Sequence, residues 1–138
     1  MIEFSRFTLD NGLRVVHHRD DSTSHIAVNI LYNVGARDES PQLTGMAHLF
    51  EHLMFGGSVN VPDYDYALEM AGGVNNAWTS NDFTNFYDIV PAENIETAFW
   101  AESDRMLRLA FTPQSLHVQR NVVMEEFKQT CLNKPYGD

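Results

Sequence analysis

The pentapeptide His48-Leu49-Phe50-Glu51-His52 is the feature that most restricts the local fold of this chain. In a helix, residues four apart project from the same side, so the two imidazoles would lie one turn apart with Glu51 beside them. The apolar residues around them are Leu43, Met46, Ala47, Leu49, Phe50, Leu53, Met54 and Phe55. This pattern predicts a helix over about 43–55 that is largely buried.

Two imidazoles and a carboxylate on a buried helix need polar partners, because an unpaired buried polar group is costly. A metal ion is one such partner, and neutral imidazole nitrogen is among the commonest zinc ligands. A carboxylate beside the ion can accept a proton from a water molecule that the ion has made more acidic. The pattern therefore indicates a metal site at His48 and His52, and the alternative is a helix that carries histidines on its surface.

A catalytic zinc usually has three protein ligands, so a third is expected elsewhere in the chain. Thr112-Pro113 is typical of a helix start, and residues 114–132 contain neither Gly nor Pro, which predicts a long helix. At 100° per residue, one stripe of this helix consists of Leu116, Val123, Phe127 and Thr130. Gln119 and Glu126 border the stripe, whereas Glu125 points away. Glu126 is therefore the candidate ligand, and the alternative is a boundary glutamate that reaches solvent.

Several segments resemble the pitrilysin, insulysin and mitochondrial processing peptidase family, and they occur in the same order along the chain. They are Phe7–Val16, Gly35–Glu39, Gly45–Phe55, Gly72–Ser80, Arg120–Glu126 and Asn133–Gly137. Within them, the order His-x-x-Glu-His is the inverted zincin motif. The resemblance implies that His48, His52 and Glu126 bind one zinc ion per domain. It also implies that Glu51 is the general base of a zinc-dependent endopeptidase.

The residue before Arg120 departs from the family pattern. The family often has glutamate there, which supports the metal site by contacting a ligand, and this chain has Gln119. An amide can still form a hydrogen bond but adds no negative charge near the metal. We therefore expect an altered metal affinity or rate.

The resemblance also has implications for substrate and partners. It implies that Asn75, Asn76, Ala77, Trp78 and Thr79 form an edge strand to which an extended peptide or small protein substrate adds through backbone hydrogen bonds. The alternative is an ordinary hairpin whose asparagines satisfy a turn.

Family enzymes enclose the substrate between two related halves. The chain is thus expected to be a single N-terminal catalytic domain, residues 1–138, truncated on its C-terminal side and completed by a second half in the same or another chain. The alternative function is a truncated or non-catalytic peptide-binding or assembly subunit of the same fold, inactive as an isolated chain.

Strand and helix signals predict an α+β fold, a layered domain with helices on one face of a largely antiparallel sheet. Strands are predicted at 3–9, 13–19, 25–32, 72–80 and 83–90, with Asp10-Asn11-Gly12 as a hairpin turn. Helices are predicted at 43–55, 62–71, 114–132 and from Pro91 to about Ala110. No repeat or low-complexity tract marks a domain boundary.

The formal net charge of −10 argues against nucleic-acid binding, which depends on basic residues that neutralise phosphates. An acidic surface either steers basic peptides or serves solubility, and both alternatives stand. The single Cys131 excludes an internal disulfide. The first residues lack a secretory signal and no segment reaches the length of a membrane span, which favours a cytoplasmic location.

Overall fold

Five strands and four helices are formed by residues 2–134, the part of the chain that the computed structural model describes. The strands are β1 (Ser5–Thr8), β2 (Arg14–His17), β3 (His25–Tyr32), β4 (Val74–Thr79) and β5 (Thr84–Pro91). The helices are α1 (Met46–Phe55), α2 (Tyr64–Met70), α3 (Ile95–Leu107) and α4 (Pro113–Phe127). Each of these elements overlaps a predicted segment. The end of the last segment that resembles the family, Pro135–Gly137, lies outside the described residues.

The strands form two antiparallel sheets rather than one. β1 and β2 pair with each other across the turn at Gly12, whose φ of 88° is a value that glycine adopts readily. β3, β5 and β4 form the second sheet in that order. Within residues 2–134, β4 is therefore an edge strand of this sheet.

Helices cover one face of the three-stranded sheet. The alternate β5 residues Phe86, Asp88 and Val90 are almost fully buried on that face. The core cluster consists of Val28, Val61, Tyr64, Leu68, Val90, Ala98 and Ala101. Large exposed side chains on the other face are Leu31, Val74, Trp78 and Ile89. The predicted α+β architecture, with helices on one face of an antiparallel sheet, is therefore confirmed.

Two element boundaries differ from the prediction for backbone reasons. Gly45 has a left-handed φ of 82°, so α1 begins at Met46 rather than near Leu43. Pro91 does not open a helix but ends β5, where its missing N–H matters least. A short 3₁₀ turn, Ala92–Asn94, separates it from α3.

The expectation that α1 is largely buried is wrong. Only Ala47 and Leu53 on this helix are buried, whereas Met46 is 37% and Phe50 45% exposed. Part of the helix lines an open, mostly apolar cavity of about 480 Å³. The high cost of unpaired buried polar groups therefore does not by itself require a metal at this helix. Support for a metal site has to come from the positions of the side chains.

The last helical segment starts as predicted. The Thr112 hydroxyl accepts a hydrogen bond from the Ser115 amide at 3.1 Å, and Pro113 occupies the first turn. Beyond α4 the chain continues as a π-helical segment, Lys128–Leu132. Within the described part of the chain, no helix is long and apolar enough to cross a membrane.

Candidate metal centre

The two histidines of the pentapeptide lie together on α1. The Nε2 atoms of His48 and His52 are 3.1 Å apart, and the ring centroids are 4.8 Å apart. The one-turn spacing of the helix produces this proximity directly. His52 is the less exposed of the two, with 19% of its side chain accessible against 40% for His48.

Glu126 completes the cluster from α4. Its Oε2 atom lies 3.4 Å from Nε2 of His48 and 3.4 Å from Nε2 of His52. A tetrahedral zinc with bonds of about 2.0–2.1 Å separates its ligand atoms by about 3.4 Å. The three donor atoms therefore already have the spacing of one face of such a tetrahedron. Two imidazole nitrogens and a carboxylate oxygen are also a donor set that zinc prefers.

The structure brings no second such group together among residues 2–134. His48, His52 and Glu126 are the one set of three or more His, Cys, Asp or Glu side chains that could share a metal there. The other four histidines of the chain are not part of this cluster. His18 contacts the Glu3 carbonyl through Nδ1 at 2.6 Å, and His117 lies 3.2 Å from Asn121.

The face of α4 that meets α1 differs from the predicted apolar stripe. Of the four stripe residues only Val123 is half-buried, whereas Leu116 and Phe127 are 37% and 55% exposed. The half-buried residues of α4 are Ser115, Gln119, Val123 and Glu126. The polar border of the stripe therefore turns inward, because α4 packs against the side of α1 that carries the two histidines.

The structure places Glu125 and Gln119 as the helical periodicity predicts. Glu125 points away and pairs with Lys128 at 3.1 Å. Gln119 Oε1 lies 3.3 Å from Nδ1 of His52. When that nitrogen donates its proton to the amide oxygen, the lone pair of His52 is on Nε2 and faces Glu126.

The amino end of α1 is held by Glu39, a residue for which the sequence predicted no role. The Glu39 carboxylate accepts hydrogen bonds from the amides of Gly45 and Ala47, each at 2.7 Å. A negative charge at a helix amino terminus also interacts favourably with the helix dipole. Glu39 thus fixes the start of the helix that carries the histidines. The sequence did contain a signal for Glu39, because this residue ends the segment Gly35–Glu39 that resembles the family.

Glu51 projects toward the sheet rather than toward α4. The hydroxyl of Thr79, at the end of β4, donates a hydrogen bond to Glu51 Oε2 at 2.5 Å. Thr84 of β5 is the register partner of Thr79. The Thr84 hydroxyl donates a hydrogen bond to the Val34 carbonyl at 3.0 Å. Thr84 has no sequence signal of its own, because its contacts depend on the pairing of two strands.

The predicted substrate strand is β4, and its side chains alternate between the two faces of the sheet. Asn75, Ala77 and Thr79 are half-buried, whereas Asn76 and Trp78 are exposed. The Ala77 amide donates a hydrogen bond to the Asn76 side chain at 2.8 Å. The Asn75 amide group reaches Asp65 at 3.1 Å.

A cluster of ionisable groups is buried between the sheet and α3. The Tyr64 hydroxyl donates to Asp88 at 3.1 Å and lies 2.9 Å from Glu102 Oε1, while Arg105 forms an ion pair with Glu102. Burial, together with the nearby Glu102 charge, raises the pKa of Asp88 to about 7. The Arg105 guanidinium also lies 5.8 Å from the Phe55 ring at the end of α1. The alternation of β5 could have revealed Asp88, because it falls between Phe86 and Val90 on the buried face.

Comparison with known proteins gives a family match over most of the chain. The sequence profile described as "Insulinase (Peptidase family M16)" matches residues 14–134. The zinc protease PqqE of Helicobacter pylori is 34% identical over 133 residues, which are 94% of this chain and 30% of that protein. The chain therefore spans less than a third of the length of that relative.

Solved structures agree with this match. The crystal structure of a protease from Helicobacter pylori superposes with a TM-score of 0.93 at 32% identity, covering 99% of this chain and 33% of that one. Pitrilysin superposes with a TM-score of 0.82 at 25% identity, covering 93% of this chain and 14% of that one. The profile match and the two superpositions identify the chain as a member of the insulinase family, peptidase family M16.

Proposed function

We propose that this chain is the zinc-binding catalytic domain of an endopeptidase. The observation that supports this most directly is the convergence of His48, His52 and Glu126, whose ligand atoms lie 3.1–3.4 Å apart. Zinc held by these residues would supply Lewis acidity, which polarises a peptide carbonyl and makes a water molecule more acidic. PqqE, the relative named above, is a zinc protease by name.

In this proposal Glu51 is the general base. It accepts a proton from the attacking water at a carboxylate oxygen and delivers it to the nitrogen of the leaving amine. His48 and His52 hold the metal from the same turn of α1, so the base and two ligands share one rigid helix. Gln119 holds His52 in the orientation in which Nε2 is the ligand atom.

The substrate is proposed to be an extended peptide or small protein that adds to the free edge of β4. Backbone hydrogen bonds along Asn75–Thr79 would hold it without demanding particular side chains. The Ala77 amide would exchange its bond with Asn76 for one with the substrate. Thr79 would contribute through its backbone, because its hydroxyl is engaged by Glu51.

A second related half, in the same or another chain, is proposed to close the cleft over this edge. The chain spans 30% of PqqE and 33% of the crystallised Helicobacter protease, which leaves room in such proteins for further domains. The same shares favour a second candidate, in which the isolated chain binds peptide or assembles with a partner but does not cleave alone.

The Glu51→Gln variant of the protein expressed from its complete gene tests the proposal. Zinc content, measured by mass spectrometry, is expected to stay at one per domain, while cleavage of an internally quenched peptide library falls to background. If the unmodified protein shows no hydrolysis, and the variant binds peptides with equal affinity, the endopeptidase function is wrong and the binding subunit is correct.

A further inference from the structure

A short series of contacts connects Glu51 to the end of the β4–β5 hairpin. Thr79 Oγ1 lies 2.5 Å from Glu51 Oε2 and 3.4 Å from Thr84 Oγ1. Thr84 Oγ1 in turn lies 3.0 Å from the Val34 carbonyl oxygen. Thr84 is only 5% exposed, so this series runs from a half-buried carboxylate into the interior.

The number of hydroxyl protons determines which of these contacts are hydrogen bonds. A threonine hydroxyl has one proton to donate. Thr84 donates its proton to Val34, and Thr79 donates its own to Glu51, so no proton remains for a hydrogen bond between the two hydroxyls. Thr84 therefore acts on Thr79 by packing beside it, and Thr79 is the residue that bonds to the carboxylate.

The backbone at the end of the β4–β5 hairpin holds Thr79 in a fixed position. In the turn that follows, the Ser80 amide donates a hydrogen bond to the Phe83 carbonyl at 2.9 Å. The Ser80 hydroxyl accepts one from the Phe83 amide at 3.1 Å. The loop at Gly35 is pressed against the same turn, because a Cβ built on Gly35 would lie 2.6 Å from the Asn81 carbonyl. The side chain of Thr79 is also β-branched, so it has few rotamers available.

We propose that Thr79 is the positioning residue of the general base, a role that rests on the proposed function of Glu51. Its hydroxyl holds Oε2, so Oε1 is the oxygen that exchanges the proton with water and leaving group. A carboxylate held at one oxygen keeps the other in a defined place, which is what proton transfer at hydrogen-bond distance requires. The adjacent Thr84 and the closed turn keep Thr79 in register.

The test compares Thr79→Val, which keeps the shape and removes the proton donor, with Thr79→Ser, which restores the donor. In the protein expressed from its complete gene, Thr79→Val is expected to lower kcat at least about 10-fold, since a general base contributes about 10²–10⁴. KM should stay within about twofold and zinc content should not change. Thr79→Ser should recover most of the rate. Thr8→Val, on the exposed strand β1, is the matched control and should leave kcat unchanged.

Three outcomes would overturn the proposal. An unchanged kcat for Thr79→Val would show that the hydroxyl is dispensable, and a raised KM at constant kcat would make Thr79 a substrate contact. Equal loss in the valine and serine variants would assign it a packing role alone.

A stability measurement, which does not depend on enzyme activity, tests the role of Thr79 separately from the proposed function. In a double-mutant cycle of Thr79→Val and Glu51→Ala, the shift in thermal midpoint of the double variant should be smaller than the sum of the single shifts. Additive shifts would mean that the two side chains do not interact, which would overturn the positioning role. An inactive wild-type protein with a non-additive cycle would instead overturn the peptidase function and leave the contact in place.

Discussion

The side-chain oxygen of Gln119 lies 3.3 Å from Nδ1 of His52, although 67 residues separate the two in the chain. The contact selects the tautomer of His52 in which Nδ1 carries the proton and Nε2 is free to bind a metal. Ligating histidines typically donate this second ring proton to a carboxylate or carbonyl, which raises the basicity of the ligand. Here the acceptor is a neutral amide.

Gln119→Glu should therefore tighten zinc binding. A carboxylate accepts the His52 proton more strongly, and changes at this kind of position alter metal affinity by about 10–100-fold. We expect at least the lower figure in a competition titration against a chelator. Gln129→Glu, the same change on the exposed π-helical segment, should leave the affinity unchanged. Equal tightening in both variants would mean that only net charge matters.

Glu126→Gln should weaken zinc binding by more than about 100-fold, because it removes a charged ligand rather than a residue that supports one. Glu125→Gln is the matched control, since Glu125 is adjacent in sequence but paired with Lys128 on the outside of α4. Zinc content after dialysis and chelator competition measure both. If the two variants keep zinc equally well, Glu126 is not the third ligand.

Glu39→Ala should destabilise the fold by about 1–2 kcal/mol, because it removes a negatively charged cap from the amino end of α1. Urea unfolding followed by circular dichroism gives the free energy of unfolding. Glu69→Ala, an exposed position near the end of α2, is the control and should change it by less than about 0.5 kcal/mol. Equal losses at both positions would contradict a capping role for Glu39.

Asp88→Asn should change how stability depends on pH. Because burial raises the pKa of Asp88 from 3.8 to about 7, the folded state keeps a proton that the unfolded chain has already lost. The contribution of Asp88 to stability is therefore complete below about pH 4 and is lost as the pH rises to about 7. Tyr64, Glu102 and Arg105 surround the carboxyl group.

The asparagine variant cannot ionise, so its free energy of unfolding should fall less between pH 4 and pH 8 than that of the wild type. Urea unfolding at several pH values measures this difference. Asp10→Asn, in the exposed β1–β2 turn, should leave the slope unchanged. A wild-type slope that persists in Asp88→Asn would place the titrating group elsewhere.

Local periodicity was enough to predict much of the candidate site. The spacing of His48 and His52 places both imidazoles together in any α-helix, and the 100° step on α4 separates Glu126 from Glu125. Strand alternation and the turn residues predicted the antiparallel layers. These features depend on neighbours within a few residues, so they can be inferred before the tertiary structure is known.

Tertiary packing alone decided the contacts that hold the site. Periodicity orients a side chain relative to its own helix or strand, but it does not say which distant atom will face it. The bonds of Glu39 to the start of α1, of Thr79 to Glu51 and of Tyr64 to Asp88 each join separate elements. The same limit applies to α4, where three of the four residues of the apolar stripe are exposed and its polar border is half-buried. The inner face of α4 is the one that meets the partner helix, where Gln119 and Glu126 contact the two histidines of α1.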